Sequence, residues 1–283
     1  MINKIKGYLL KKIYKSQYRN GHYYSPIPLI EEIEKRDEQI FTMPKTIPGI
    51  DLCDEEQVIL LKEFETQPSW KIAAESTSEN FYYSKNGFFN SADAYFLAAM
   101  IINKKPRKII EIGSGFSSAL MMDVKNKYFN KSLELTFIEP YPERLYGLIA
   151  KKELNIYEQF IQDIDIDMFE ALEANDILFI DSSHISKVGS DVNHIIFNIL
   201  PRLKKGVIVH FHDITYPFEY PKNWIYDGIF WNEAYILKSF LMYNQNFKVK
   251  LFNSYLYHFH NDWFNANIPK YNIEGGSIWL EKQ

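Results

Sequence analysis

Cysteine is nearly missing. Cys53 stands alone among 283 residues. One thiol excludes an intramolecular disulfide and a cysteine-rich metal site, and it fits a reducing, cytoplasmic setting. Long apolar runs are missing as well: no stretch reaches the roughly 18 residues needed to span a bilayer. A secretory leader would need a longer apolar core and a small-residue cleavage site, and neither is present near the N-terminus. Positive charge is not in excess, since the formal net charge is −4. No global basic field therefore argues for nucleic acid. Internal repeats and low-complexity tracts are absent.

What remains has globular composition, with 46% hydrophobic and 24% charged residues. The length suits one large α/β domain with an extension, or two small domains. Aromatics reach 16%, including 20 Tyr and 21 Phe. They suit a cleft with aromatic walls or an aromatic core. The N-terminus carries Lys4, Lys6, Lys11, Lys12, Lys15 and Arg19, with Ile2, Ile5, Leu9 and Ile13 at helical spacing. That pattern predicts a surface helix docked on the domain, with weak contact to an anionic membrane surface or a partner as the alternative.

From residue 107 the pattern becomes regular. Strands are expected over 107–112, 133–138, 157–161, 176–180 and 207–211, with helices over 117–125, 142–154, 167–174 and 187–203 between them. A helix over 231–243 and antiparallel strands over 247–252 and 277–282 follow. Upstream, Asp54 is expected to cap a helix reaching Phe64, and Ser91 a helix reaching Asn103. Strand alternating with helix predicts a doubly wound, mostly parallel sheet with an antiparallel C-terminal strand. A boundary near residue 80 separates a mostly helical or extended extension (1–80), read as substrate side or lid, from the core (81–283).

Four acids end successive strands: Glu111, Glu139, Asp181 and Asp213. Carboxyl ends of strands in such a sheet share one edge, so these side chains are expected around one crevice. Crowded carboxylates repel one another, so a series of four points to ligand chemistry. The first strand runs into Gly113-Ser114-Gly115, a tight turn that allows close ligand approach. A dinucleotide fingerprint would place a third glycine where Ser118 stands, which weighs against NAD. Glu139 ends the next strand, where a carboxylate accepts both hydroxyls of a ribose.

These pieces resemble a family. Ile109 to Ser118, Phe137-Ile138-Glu139-Pro140, Asp176 to His184 and Gly206 to Asp213 are similar to the class I S-adenosylmethionine-dependent methyltransferases. The Asp181-Ser182-Ser183-His184 and His210-Phe211-His212-Asp213 signatures resemble those of bacterial small-molecule and sugar O-methyltransferases. The resemblance implies a Rossmann-like core and S-adenosylmethionine as cofactor. It implies that Glu111, Gly113, Ser114, Gly115, Ser117 and Ser118 grip the aminoacid end, with Asp181 alongside. Glu139 would hold the ribose, and Gln162 or Asp163 would approach the adenine.

A hydroxyl acceptor then needs a base or a metal. His184, three residues after Asp181, is the expected base, so His184, Asp181 and Asp213 form the catalytic set. Alternatively Asp181, His212 and Asp213 bind Mg²⁺ or another divalent ion, as in catechol-type enzymes. The acceptor would be a small molecule or saccharide. Tyr216 to Tyr220 and Trp224 are candidates for its wall or lid. Two rivals stand beside this reading. His210 with His212, and His258 with His260, could converge on a metal in an oxygenase or hydrolase. The chain could also be a methyltransferase-fold binding protein without turnover.

Overall fold

The computed structural model describes residues 17–67, 72–89, 91–268 and 274–283. The expected N-terminal helix lies almost wholly outside them. Among the described residues no helix is long and apolar enough to cross a membrane. The described residues divide into two compact units, one from those up to residue 43 with 220–230, the other from those in 44–219 with 231–283. The described residues between 44 and 80, expected in the extension, cluster with the larger unit.

The segment after residue 43 joins the larger unit through a helix, Asp54–Glu65, that buries Leu60, Leu61 and Phe64. Its Gln57 Nε2 donates to Leu52 O, while Gln57 Oε1 accepts the N–H of Phe252. The N-cap is Cys53 rather than Asp54, and Asp54 instead accepts from Tyr255 OH. In the smaller unit, the short helices Asp37–Ile40 and Lys222–Tyr226 meet where Asp37 accepts from Lys222 Nζ at 2.7 Å and Tyr226 OH at 3.0 Å. Trp224, expected as part of an acceptor lid, belongs to this unit.

The larger unit is built on seven strands: β1 (Lys108–Ile112), β2 (Glu134–Ile138), β3 (Ile156–Tyr157), β4 (Ile177–Ile180), β5 (Ile208–His212), β6 (Phe247–Phe252) and β7 (Ser277–Lys282). Their order is β3-β2-β1-β4-β5-β7-β6, and β7 runs antiparallel to both its neighbours. This is the Rossmann-like, mostly parallel arrangement that the alternation implies. The central strands read as continuous apolar runs because helices cover both faces. All four residues of β4 and all five of β5 are buried.

Two acids set the sheet's ends. At the amino end, buried Asp176 accepts the N–H groups of Arg107, Lys108 and Glu173, joining the starts of β1 and β4. At the carboxyl end, Asp93 accepts from Asn253 Nδ2, the Gly276 N–H and Ser277 Oγ, and so fixes the entry to β7. The chain leaves β1 towards β2 and β3, then returns to β4 on β1's other side. Strand order therefore reverses between β1 and β4, where such sheets bind ligands.

Helices are shorter than the pattern predicts. The run expected over 142–154 is only Glu143–Tyr146, ending at Gly147, plus a 3₁₀ turn at Lys151–Glu153. The run expected from 187 starts at Asp191, where Ser190 caps it and Gly189 at φ +73° stops extension upstream. Pro201 has no N–H for the Phe197 carbonyl, and the helix passes through a π turn (Ile195–Ile199) into a 3₁₀ turn (Leu200–Arg202). The strand expected over 157–161 is reduced to Ile156–Tyr157, and residues 161–163 form a 3₁₀ turn.

Candidate active site

The turn after β1 is built around Gly113. Its φ is +81°, and a Cβ there would lie 1.8 Å from the carbonyl oxygen of Asp181 at the end of β4. Only glycine lets the two strand ends approach so closely. Glu139, at the end of β2, ties the neighbouring turns together. Its Oε2 accepts the Ser114 N–H at 3.0 Å, and its Oε1 accepts the Tyr141 N–H at 2.8 Å. Each oxygen keeps a lone pair for a ligand.

Glu111 behaves differently. It is completely buried beneath the turn, where it accepts from Ser117 Oγ at 2.5 Å and from Ser118 Oγ. Ser118 Oγ in turn accepts the Gly115 N–H at 3.0 Å. Burial pushes the Glu111 carboxyl up to about 8, against the pull of the two serines. Glu111, Ser117 and Ser118, expected to touch the cofactor, are thus enclosed, and they brace the turn from below. Glu111 also leaves the expected ring of crevice carboxylates.

A cleft of about 450 Å³ opens above β1, β2 and β4, lined in part by Gly113, Glu139, Tyr141, Phe160, Gln162 and Asp181. Tyr141 and Phe160 meet edge to face, with ring centroids 6.0 Å apart. Gln162 Nε2 donates to Gly189 O at 2.7 Å. Asp163 is exposed and does not line the cleft, so only Gln162 of that pair does. Two larger hollows, of about 960 and 1020 Å³, lie along the 76–82 loop and at the amino end of β1, away from the strand-end acids.

Beside the cleft the loops after β4 and β5 bring together Asp181, His184 and Asp213. His184 and Asp213 both adopt left-handed backbone conformations, at φ 59° and 54°. His184 Nε2 lies 3.4 Å from Asp181 Oδ1 and 3.5 Å from Asp213 Oδ2, while its Nδ1 lies 2.8 Å from Glu233 Oε2. The Asp181 and Asp213 side chains remain 33% and 21% exposed, against 7% for His184 and 1% for Glu233. The carboxylates thus border the open space, with the imidazole behind them and Glu233 behind the imidazole. Glu233 Oε1 also accepts from Ser182 Oγ at 2.9 Å. Trp231 covers the imidazole at 4.3 Å between ring centroids. Burial disfavours charge on His184, but Asp181 and Glu233 outweigh it and hold the ring's pKa well above its usual value. Burial works against the Asp181 anion too, yet His212 and His184 bring its pKa below the usual carboxylate range.

The other histidines separate. His210 lies inside the sheet, stacked 3.8 Å from the Phe179 ring, and burial drives its pKa well down. His212 reaches the edge, but its side chain is 6% exposed and its ring packs 5.1 Å from Phe89. One ligand atom from each of Asp181, His184 and Asp213 lies within 4.8 Å of the others, so the group able to share a cation contains His184 where His212 was expected. His258 and His260 sit on and just after the helix Asn253–Phe259, where residues two apart diverge. They pair with Glu274 and Asp54 respectively. The two histidine pairs do not converge.

Sequence reasoning missed Glu233 and Trp231. They follow Asp213 by about twenty residues, and no local spacing marks them. Asp93 was missed for the same reason: its partners lie in the last third of the chain.

A family model described as a methyltransferase domain matches residues 110–214. An uncharacterized protein of Archaeoglobus fulgidus is 40% identical over 162 residues, covering 55% of this chain and 73% of that protein. Among solved structures, an SAH-bound methyltransferase of Podospora anserina is similar at 15% identity and TM-score 0.42, covering 92% of this chain and 99% of its own. An O-methyltransferase of Bacillus cereus in complex with SAH has 13% identity and TM-score 0.42, covering 90% of this chain and all of its own.

Proposed function

Because the chain belongs to the class I S-adenosylmethionine-dependent methyltransferases, we propose that it methylates an oxygen of a small molecule or saccharide. The observation that carries the oxygen is the His184 imidazole, held from behind by Glu233 and facing Asp181 and Asp213 at the open edge.

The residues around the cleft fit the cofactor. Its volume lies in the range of small-ligand sites. Glu139 offers carboxylate lone pairs to a ribose diol, Tyr141 and Phe160 offer ring surface to a base, and Gly113 to Gly115 offer backbone at close range. When bound, S-adenosylmethionine supplies an electrophilic sulfonium methyl group.

The protein's part is placement and proton removal. Glu233 fixes the imidazole through Nδ1, which turns Nε2 towards the gap between Asp181 and Asp213 at the open edge. In the neutral form of the ring, which is reached only as pH rises through its raised pKa, an acceptor hydroxyl there gives its proton to Nε2 as its oxygen takes the methyl group. Asp181 and Asp213 stabilise the imidazolium so formed.

The same geometry supports a second reading, in which Asp181, His184 and Asp213 hold a divalent cation that lowers the hydroxyl's pKa. A carboxylate behind a ligating histidine is the usual arrangement in metal sites. One nitrogen and two oxygens suit Mn²⁺, Fe²⁺ or Zn²⁺ better than Mg²⁺, which favours oxygen alone.

The test uses cofactor carrying a labelled methyl group and a panel of hydroxyl-bearing sugars and phenols. Label should appear as an ether in wild type and vanish in His184→Ala. Transfer to an amine or to carbon would sink the oxygen assignment. Turnover that survives chelation supports the base reading; turnover lost to chelation and restored by Mn²⁺ supports the metal reading.

A further inference from the structure

Four acids border the proposed cofactor cleft and its reacting edge, Glu139, Asp181, Asp191 and Asp213, and Lys187 lines the cleft beyond β4. The aminoacid end of S-adenosylmethionine carries a carboxylate as well as an ammonium group. The acids suit the ammonium, and the carboxylate suits a cation beside the turn after β1, at the far end of the cleft from Lys187.

Arg144 stands there. It belongs to the short helix Glu143–Tyr146 that follows β2. Its Cδ would lie 3.4 Å from a Cβ on Gly115, so the side chain crosses the turn after β1. Its guanidinium carbon lies 4.0 Å from the centre of the Phe88 ring. Phe88 stacks in turn on Phe116, with planes 13° apart and centroids at 5.9 Å, and Tyr83 meets Phe116 edge on at 5.4 Å. Three rings thus fix a guanidinium over the turn. Among the described residues no carboxylate lies within ion-pair distance of Arg144 and no acceptor takes its N–H groups, although its charge is felt at Asp181. Phe88 is itself 62% exposed. A guanidinium held in place over the turn, with its planar fork facing outward, suits bidentate binding of a ligand carboxylate.

We infer that Arg144, held on Phe88, binds the carboxylate of the cofactor's aminoacid end. The inference rests on the cofactor reading above. Position favours the cofactor over the acceptor: Arg144 lies on the β2–β1 side of the strand reversal, and the His184 group on the β4–β5 side.

Calorimetry with two ligands tests it. S-adenosylhomocysteine carries the carboxylate; 5′-methylthioadenosine keeps the adenosyl thioether and lacks the whole aminoacid group. Arg144→Gln should weaken S-adenosylhomocysteine by about 10- to 100-fold and leave 5′-methylthioadenosine within about twofold. Arg144→Lys should recover part of the loss, as a charge without the fork. Phe88→Leu should weaken S-adenosylhomocysteine by less than Arg144→Gln and again spare 5′-methylthioadenosine. Equal losses for both ligands, or no loss for either, would overturn the assignment. So would unchanged S-adenosylhomocysteine affinity with a raised KM for an acidic acceptor, which would give Arg144 to the acceptor. If wild type binds neither ligand, the cofactor reading fails, and this assignment with it. Melting temperatures confirm that the variants are folded, as expected for an exposed side chain.

Discussion

Glu233 Oε2 stands 2.8 Å from His184 Nδ1, and neither side chain is more than 7% exposed. This buried pair sets which ring nitrogen faces the crevice. Glu233→Gln keeps the shape and removes the charge. Turnover should fall by about 10- to 100-fold, as when the outer partner of a catalytic or metal-bound histidine is lost, with S-adenosylhomocysteine affinity within about twofold. Glu233→Ala should also lower stability by about 1–3 kcal/mol, because Ser182 Oγ and His184 Nδ1 lose a buried acceptor. Single-turnover kinetics, calorimetry and thermal melts measure the three effects.

Gly113→Ala should be among the most damaging single changes at the crevice. A Cβ 1.8 Å from the Asp181 carbonyl forces β1 and β4 apart at their carboxyl ends. The loss should reach about 3 kcal/mol or more, read as a fall in melting temperature or in soluble yield. Gly189 has a similar φ, +73°, but open space around it. Gly189→Ala should therefore show only the left-handed penalty, about 1–2 kcal/mol.

Glu111→Gln should reveal the neutral acid beneath the turn. The folded protein holds the Glu111 carboxyl near 8, above its ordinary 4.5. The group's contribution to stability is therefore full below the ordinary value and declines as pH rises through the folded one. Glutamine does not titrate. The variant should thus gain on wild type between about pH 5 and about pH 9, by an amount on the order of a few kcal/mol. Denaturant melts of both proteins across that range measure it. A difference that is flat with pH would show that Glu111 is ionised in the fold.

Glu139→Ala should give the opposite ligand pattern to Arg144→Gln. A carboxylate at the ribose position serves the adenosyl half, so S-adenosylhomocysteine and 5′-methylthioadenosine should weaken together, by about 10-fold or more. Unchanged affinity for both would remove Glu139 from the site.

The sheet was legible because its central strands are continuous apolar runs that end in acids, and alternation with helices leaves few topologies. Asp181, His184 and Asp213 were legible because strand ends and the residues just after them share one edge. The role of Glu111 was not, since a strand residue and the one two before it share a face, and sequence does not say whether that face meets ligand or the helix start beneath. Helix ends failed where one residue decided them, as at Gly189 and Pro201. Glu233, Asp93 and Gln57 stayed hidden because their partners are distant in the chain. Residues 54–65 join the larger unit through Gln57 and the Leu60, Leu61 and Phe64 stripe, whose partners the sequence does not mark.

Trp231 lies 4.3 Å from the imidazole of His184, and that contact gives the crevice an optical signal of its own. Excited indole loses emission to a protonated imidazole in contact with it, and regains emission when the ring is discharged or moved away. Whatever enters between Asp181 and Asp213, be it sulfonium, divalent ion or acceptor, changes the charge felt by that ring. Occupancy of the reacting edge should therefore be readable as tryptophan fluorescence on unlabelled protein. Trp231→Phe would mark which part of the signal comes from the crevice, giving a screen for the acceptor that needs no assay of the product.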